Sequence, residues 1–247
     1  MSTYRRIITP FYLLTGARLL LQPGIRIYAL APLMINALFF VVLMIFGIQQ
    51  FNELLDSITP AIPQWLHWIE WLLWPLFIVC FVVSGFFLCL LLATMIAAPF
   101  NDLLVEAVLR RLRPDKPVTE SGLLSAIKGI GPGLLSEARK FRYFVVRALP
   151  LALLFVIPGV NLLAPLLWLI FSAWMLALEY MEYPMSADGL LFADIRSSLA
   201  RQRLSTFGFG VGILLISLIP VINFFIMPIA VAGATALYIE QGFGTKD

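Results

Sequence analysis

The sequence predicts an all-α integral membrane protein with two long transmembrane helices, two re-entrant (half-penetrating) helical hairpins and amphipathic cytoplasmic helices. Of its 247 residues, 61% are hydrophobic and 13% are charged, whereas a soluble domain has about 45–50% apolar and about 25% charged residues. Four long segments contain no Asp, Glu, Lys or Arg. A soluble chain of this length has too little interior to bury them, so we place them in a membrane. No long hydrophilic linker divides the chain, which predicts one membrane domain over 1–247.

The first half of the chain predicts two full membrane crossings. Residues 7–21 are apolar but interrupted by Pro, Gly and Arg, as in a short amphipathic segment at the membrane surface, and 22–26 form a turn. The uncharged segment 27–48 is about 33 Å long as a helix, which is enough to cross a bilayer. The second uncharged segment, 71–98, is longer still. The polar connection between them, 49–70, contains acidic residues but no Lys or Arg.

Residues 99–147 combine apolar and charged residues at helical spacing, which predicts a cytoplasmic helical part. Its first amphipathic helix is expected to end at Pro114, because proline terminates a helix. A second helix occupies 134–147. It follows the stretch 129–133, which is rich in Gly and Pro and which we expect to be a flexible joint.

The two uncharged segments of the second half, 148–178 and 207–239, predict hairpins that enter the membrane and return. A single span needs about 20 residues and two spans need about 40 plus a turn, so neither segment fits. Each is broken by an Ile-Pro pair that is followed by Asn, at Pro158 and Pro220. The predicted helix before the first break is 148–157, about 15 Å long, which is half of the apolar core.

The distribution of basic residues predicts the orientation of the chain. Four Lys or Arg precede the first span, none lies between the spans, and 13 follow the second. The positive-inside rule therefore puts the N-terminus and 99–147 in the cytoplasm. If 148–178 were one kinked span, the loop with Arg196, Arg201 and Arg203 would lie outside. The rule thus favours the re-entrant arrangement.

The tips of the two hairpins are candidate parts of an ion pathway. Backbone at mid-depth in lipid must be buried in protein or line water. Pro158 and Pro220 each remove a backbone donor and end one half-helix, and we expect Asn161 and Asn223 to cap the next one. A helix N-terminus there carries about half a positive charge, which suits an anion. The two asparagines either cap these helices only or also contact the passing ion.

Five stretches together carry a family resemblance: "LLLQPGIRIYALAPLMIN", "WLLWPL", "IAAPFNDLLVE", "FSAWMLALEYMEYP" and "IMPIAVAGATALY". They resemble the bacterial CysZ family of inner-membrane sulfate uptake proteins, over nearly the whole chain. The resemblance implies sulfate entry through the inner membrane into the cytoplasm, where it supplies cysteine biosynthesis. It also implies two long membrane helices, two partly penetrating hairpins and homo-oligomers. Sulfate and membrane lipid are then the expected partners.

The resemblance further implies a sulfate-binding motif ahead of the first membrane helix, formed by Gly24, Ile25 and Arg26. Some members of the family carry a second arginine at the position of Ile27. The residues themselves point the same way, because Gly24 allows close approach of the backbone and free amides at a helix start bind anions. Arg26 adds a forked set of donors. The alternative is that Arg26 only meets lipid phosphate at the interface.

The four apolar segments contain no ionisable residue, which favours a channel-like, downhill permease over a proton-coupled anion symporter. Four charged residues are candidates for a network at the cytoplasmic mouth: Glu106, Arg110, Glu137 and Arg139. Glu106 and Arg110 are spaced i,i+4 in the favourable order. The alternative is a solvated ion pair on a surface helix.

Other function classes find little support in the sequence. One histidine, His67, offers no metal site, and Cys80 and Cys89 are too far apart in one helix, about 13 Å, to form a disulfide. We therefore expect no cofactor, no metal and no enzyme activity. The basic stretches lie against a membrane, so we expect no nucleic acid partner. A non-transporting membrane protein that assists assembly or interacts with lipid is the main alternative.

Overall fold

The computed structural model describes residues 11–58, 68–114, 123–223 and 225–243, and all regular structure within these residues is helical. The all-α prediction is therefore confirmed for the described residues. In chain order the helices are α1 Phe11–Leu20, α2 Arg26–Ile58, α3 Trp68–Leu112, α4 Leu123–Leu154, α5 Ala164–Ala187, α6 Phe192–Arg201, α7 Arg203–Ser217, α8 Pro220–Asn223 and α9 Ile226–Gln241.

Two of the described helices are long and apolar enough to cross a membrane. Arg26–Glu53 in α2 has a mean hydropathy of 2.5, and Ala164–Ala187, which is α5, has 1.5. The first agrees with the span predicted at 27–48. In α3 the described apolar stretch, Trp71–Gly85, is shorter than a membrane span requires. The span at 71–98 therefore stays a prediction.

The chain divides into two compact units, and the smaller one is Leu30–Phe100. In this unit the ring of Phe51 stacks on that of Phe77 with centroids 3.7 Å apart, and Trp74 meets Phe51 edge-on at 4.8 Å. Phe51 is buried. This aromatic packing explains why α2 continues to Ile58, into the polar stretch that sequence assigned to a connection.

The larger unit comprises Met1–Ala29 and Asn101–Asp247. Its centre is α5, which packs against α7 and α9, while α1 packs along α9. The helices approach closely at glycine: a Cβ on Gly210 would lie 1.8 Å from the Ala173 carbonyl oxygen, and one on Gly233 would lie 2.6 Å from that of Tyr12. The small residues of 208–212 and 232–236 thus bring helices of one chain into contact.

Helices α4 and α5 form an antiparallel hairpin. The Trp174 indole N–H donates to the Tyr143 hydroxyl over 2.9 Å, and the rings of Phe155 and Trp168 lie 6.1 Å apart nearer the turn. The turn contains Gly159 with φ +85°, a conformation that other residues adopt only with strain. Helix α4 ends before the predicted break, and α5 continues past the predicted limit at 178 to Ala187.

The second hairpin is formed by α7 and α9. The Gln202 side-chain amide donates to the Gln241 carbonyl over 3.3 Å and ties the two open ends together. The break itself is one short helix, Pro220–Asn223, that begins at the predicted proline. The structure gives the two breaks different turns although their sequence signal is the same.

The predicted asparagine caps are wrong. The N-cap residues of α5 and α9 are Leu163 and Phe225, and neither makes a side-chain cap hydrogen bond. Asn161 lies within the turn, where its N–H donates to the Ile157 carbonyl over 3.0 Å, and Asn223 is the last residue of α8. A proline in the first turn of α5 favours a helix start beyond the asparagine, because proline is best tolerated there.

The part of the chain that the sequence predicts to be cytoplasmic, 99–147, is more continuous than expected. Helix α4 runs without interruption from Leu123 to Leu154, so the joint expected at 129–133 is wrong. The end expected before Pro114 is confirmed, since α3 ends at Leu112. Four apolar residues of the stripe that the sequence predicts in the last part of α3 are buried in the core of the larger unit: Leu104, Val105, Val108 and Leu109. Leu103 and Leu112, which also belong to that stripe, are exposed.

Candidate functional site

A cleft of about 710 Å³ in the larger unit brings two predicted regions together. One wall is the turn between α1 and α2, with Gly24 and Ile25. The other wall is the last part of α3, with Glu106, Arg110 and Arg111. Two segments about 80 residues apart in sequence therefore face one space.

The turn that forms the first wall is held by its own backbone and by the core. The amide N–H groups of Ile25 and Arg26 both donate to the Gln22 carbonyl, each over 3.2 Å. Gly24 has φ +91°, and nothing lies within 4 Å of where a Cβ would stand. The side chain of Ile25 is 5% exposed and anchors the turn.

These hydrogen bonds correct one part of the sequence argument for the motif. The amides of Ile25 and Arg26 are not free to bind an anion, because both already have an acceptor. Gly24 and Ile25 line the cleft, whereas the Arg26 side chain is exposed outside its lining. The cationic groups of the cleft therefore come from α3.

The second wall carries an ion pair and a further arginine. Glu106 accepts a hydrogen bond from the Arg110 guanidinium one helical turn later, as the i,i+4 spacing predicts. Arg111 also lines the cleft, and among the described residues no carboxylate lies within 4 Å of it. The lining thus has one more positive than negative charge. Arg111 is a site residue that the sequence pattern did not single out, although two adjacent arginines at a helix end are a visible signal.

The other two residues of the predicted network lie on α4. Glu137 pairs there with Lys140 at 3.3 Å, and Arg139 is exposed. Within the described part of the chain, no ion pair links them to Glu106 or Arg110. The four residues therefore do not form one continuous network in this structure.

Lys140 is the centre of a second charged cluster, which joins α4 to α5. Its Nζ donates to Glu182 over 2.7 Å and lies 3.3 Å from both Glu137 and Glu179. Burial by itself would lower the pKa of this ammonium, but the hydrogen bond with Glu182 and the three negative charges outweigh burial and raise it. Lys140 therefore stays charged throughout the physiological range.

A second cleft, of about 450 Å³, lies beside this cluster. Glu137, Lys140 and Glu179 stand along it, and most of its remaining lining is apolar or aromatic, including Phe144 and Trp168. Three carboxylates surround one ammonium in the cluster, so its excess charge is negative. A dianion is disfavoured here by simple Coulomb repulsion.

The residues at the hairpin tips lie outside the lining of both clefts. Pro158 and Asn161 are exposed in the first turn, and Pro220 and Asn223 are exposed in the second. A role for these four residues in an ion pathway stays a prediction. No group of His, Cys, Asp and Glu suited to a metal ion occurs within the residues that the structure describes.

Comparison with known proteins identifies the family. The family described as Sulfate transporter CysZ/Etoposide-induced protein 2.4 matches residues 12–228. The chain is 40% identical to Sulfate transporter CysZ of Pseudomonas fluorescens (strain Pf0-1), over 94% of this chain and 93% of that protein. It is 36% identical to Sulfate transporter CysZ of Pectobacterium atrosepticum, over 93% and 84%. The chain therefore belongs to the Sulfate transporter CysZ/Etoposide-induced protein 2.4 family.

Proposed function

We propose that this protein is a sulfate permease that moves sulfate across the bacterial inner membrane into the cytoplasm, for cysteine biosynthesis. The observation that carries the proposal is the positively charged cleft, which places the Gly24–Ile25 turn opposite Arg110 and Arg111. The names of the relatives, which are sulfate transporters, support the choice of anion. In this proposal the cleft is the sulfate-binding site at the cytoplasmic side.

The chemistry of the cleft suits a tetrahedral dianion. The guanidinium of Arg111 presents a planar fork of donors and stays charged at any physiological pH, so it binds an oxyanion without a proton change. Gly24 adds no side chain, which leaves the space beside the turn open. Arg26 lies next to this turn and is exposed, so we assign it to attract sulfate at the rim of the cleft.

We further propose a channel-like, downhill route. A proton-coupled symporter needs a carboxylate, histidine or similar relay within the membrane, and the four apolar segments contain no Asp, Glu, His, Lys or Arg. Glu106 partly neutralises Arg110, which limits how tightly the cleft holds sulfate. Moderate binding is what a conduction pathway requires, because the ion must also leave.

Sulfate flux into proteoliposomes tests the proposal. Uptake of radiolabelled sulfate is measured without a pH gradient, for wild type, Arg111→Gln and Arg26→Ala. We expect Arg111→Gln to lower the initial rate about tenfold, since a charged hydrogen bond contributes about 1.5–3 kcal/mol, and Arg26→Ala to lower it less. Arg201→Gln is the matched control, because Arg201 is exposed at the end of α6, outside the cleft, and it should transport like wild type.

Two outcomes would contradict this proposal. A folded wild-type preparation without sulfate flux would favour the non-transporting, assembly or lipid-interacting alternative. Sulfate accumulation against its gradient, driven by external acid, would instead favour a proton-coupled symporter.

The proposed topology has both hairpins re-entrant and the N-terminus in the cytoplasm. It puts α6 on the cytoplasmic side, so a cysteine at the exposed Ser197 should react with an impermeant maleimide only after the cells are permeabilised. The background carries Cys80→Ser and Cys89→Ser. Ser198 is less suitable, because it is only partly exposed and its hydroxyl contacts Phe243, far along the chain. Labelling of intact cells would overturn the re-entrant arrangement.

We also propose a homo-oligomer in the membrane. Only 6% of the apolar window of α2 is buried within the chain, so this helix offers a long surface for lipid or for a second copy. The mass of the detergent-solubilised protein by light scattering tests this, and a strictly monomeric mass in mild detergent would contradict it.

A further inference from the structure

Two arginines from different helices converge on one tyrosine ring at the side of the α4–α5 hairpin. The guanidinium carbon of Arg147, on α4, lies 3.7 Å from the centroid of the Tyr143 ring. That of Arg196, on α6, lies 5.5 Å from the same centroid. The negative face of an aromatic ring attracts a cation and so offsets part of the repulsion between two cations drawn to the same ring.

The tyrosine at the centre of this cluster is fixed from two directions. Its hydroxyl accepts a hydrogen bond from the Trp174 indole, and its ring meets that of Phe192 edge-on with centroids 5.6 Å apart. Phe192 begins α6, and its N–H donates to the Ser136 hydroxyl on α4 over 2.9 Å. Helix α6 is thus docked on α4, so the two guanidinium groups are held in place before any ligand arrives.

Neither arginine has a carboxylate partner in the described part of the chain. Arg147 and Arg196 are exposed, and no Asp or Glu among the described residues lies within 4 Å of either guanidinium. Lys140 differs from these arginines. It lies about two turns before Arg147 in α4 and contacts three glutamates. Two guanidinium groups without a carboxylate partner, each with several N–H donors, suit an oxyanion as ligand.

The cluster stands at the border of an apolar surface. Arg147 is the last charged residue before the uncharged segment 148–178. Three, four and seven positions beyond it, on the same face of α4, Pro150 is exposed and Leu151 and Leu154 are half-buried. A guanidinium beside partly exposed apolar side chains suits a molecule with an anionic head and apolar chains.

We propose that Arg147, Tyr143 and Arg196 bind the phosphate headgroup of an anionic phospholipid, at a site separate from the Gly24 cleft. The phosphate oxygens accept hydrogen bonds from the two guanidinium forks, and the acyl chains lie along the face of α4 that continues from Arg147 through Pro150, Leu151 and Leu154. A free oxyanion would match the arginines but would leave that face without a partner. The proposal uses the membrane placement of α4 given above and is independent of sulfate transport.

Lipid-dependent thermal stability of the detergent-solubilised protein tests the site. Wild type is titrated with phosphatidylglycerol, with phosphatidylcholine and with inorganic phosphate. We expect phosphatidylglycerol to raise the unfolding midpoint most, and the double variant Arg147→Gln, Arg196→Gln to need about tenfold more of it for half the effect. Arg142→Gln, Arg201→Gln is the matched control, since it removes one exposed arginine from each of the same two helices, and it should respond like wild type.

Other outcomes decide against the site. An unchanged lipid response in the Arg147, Arg196 double variant would overturn it, and so would an equal loss in the matched control, which would indicate non-specific attraction. Equal protection by inorganic phosphate would assign the cluster to a soluble oxyanion. If the Gln variant does not fold, Arg147→Lys, Arg196→Lys keeps both charges without the forks and should still weaken the response. Arg111→Gln should keep the lipid response whether or not it transports sulfate, so the two proposals fail separately.

Discussion

The two clefts of the larger unit have opposite excess charge, although each is built around an ion pair on a helix. In the first, Glu106 is matched by Arg110 and a second arginine, Arg111, is left over. In the second, Lys140 is the single cation beside Glu137 and Glu179, and it also binds Glu182 outside the lining. Arg111 has no carboxylate partner and can bind an anionic ligand, whereas Lys140 is fully paired with glutamates and fixes α4 to α5. The comparison separates a charged cluster that can bind an ion from one that supports the fold.

The largest effect is expected when the lysine of the second cluster is removed. Lys140→Gln leaves Glu182 without its partner, and the side chains of Lys140 and Glu182 are only 18% and 16% exposed. Breaking a buried pair costs on the order of 3 kcal/mol, so the unfolding midpoint in detergent should fall clearly. Adding Glu182→Gln should recover part of the loss. A midpoint equal to that of wild type would show that the cluster does not hold α4 to α5.

The next effect comes from giving the first cleft the sign of the second. Arg111→Glu changes the excess charge of the lining from positive to negative, so sulfate binding measured by calorimetry should weaken more than about tenfold. Its thermal midpoint should match wild type, because Arg111 is exposed. Undiminished sulfate binding by this variant would place the site elsewhere.

A smaller effect of opposite direction is expected from Glu106→Gln. Removal of the carboxylate frees Arg110 for the ligand and raises the positive excess of the cleft. We expect sulfate affinity to increase about threefold, since an exposed ion pair contributes about 0.2–1 kcal/mol. Weaker binding in the same titration would show that Glu106 orients Arg110 for the ion.

The smallest effect is the pH dependence of the lysine cluster. The pKa of Lys140 is raised above 10.5 in the folded state, so its contribution is fully present below the unfolded pKa and is lost as the pH rises through the folded pKa. The difference in midpoint between wild type and Lys140→Gln should therefore stay constant from about pH 7 to about pH 9. A difference that shrinks within this range would contradict the raised pKa.

Local features of the sequence predicted local features of the structure. The i,i+4 spacing gave the Glu106–Arg110 pair, the glycine after proline gave the turn at Gly24, and Pro114 marked the end of α3. The prediction of asparagine caps was wrong because a cap must be the residue directly before the helix. Helices α5 and α9 each begin with an N-cap two residues after the asparagine.

Contacts between distant residues were not readable from the sequence. Lys140 meets Glu179 and Glu182 only because α4 and α5 fold back on each other, and that register depends on packing at many positions. The same holds for Arg111, whose relevance depends on the turn at Gly24 on the opposite wall. The second full span at 71–98 is a prediction that cysteine labelling can test in the same way as the hairpins.

The contact of Gly210 with the Ala173 backbone has a consequence for movement. At Gly210 it joins the first hairpin to the second with no side chain between the backbones of α5 and α7. Helices usually slide by shifts of side-chain rotamers at their interface, and at this point there are none to shift. We therefore expect the two hairpins to move together as one rigid body. A gate would then lie at their tips and termini and not along the contact between α5 and α7.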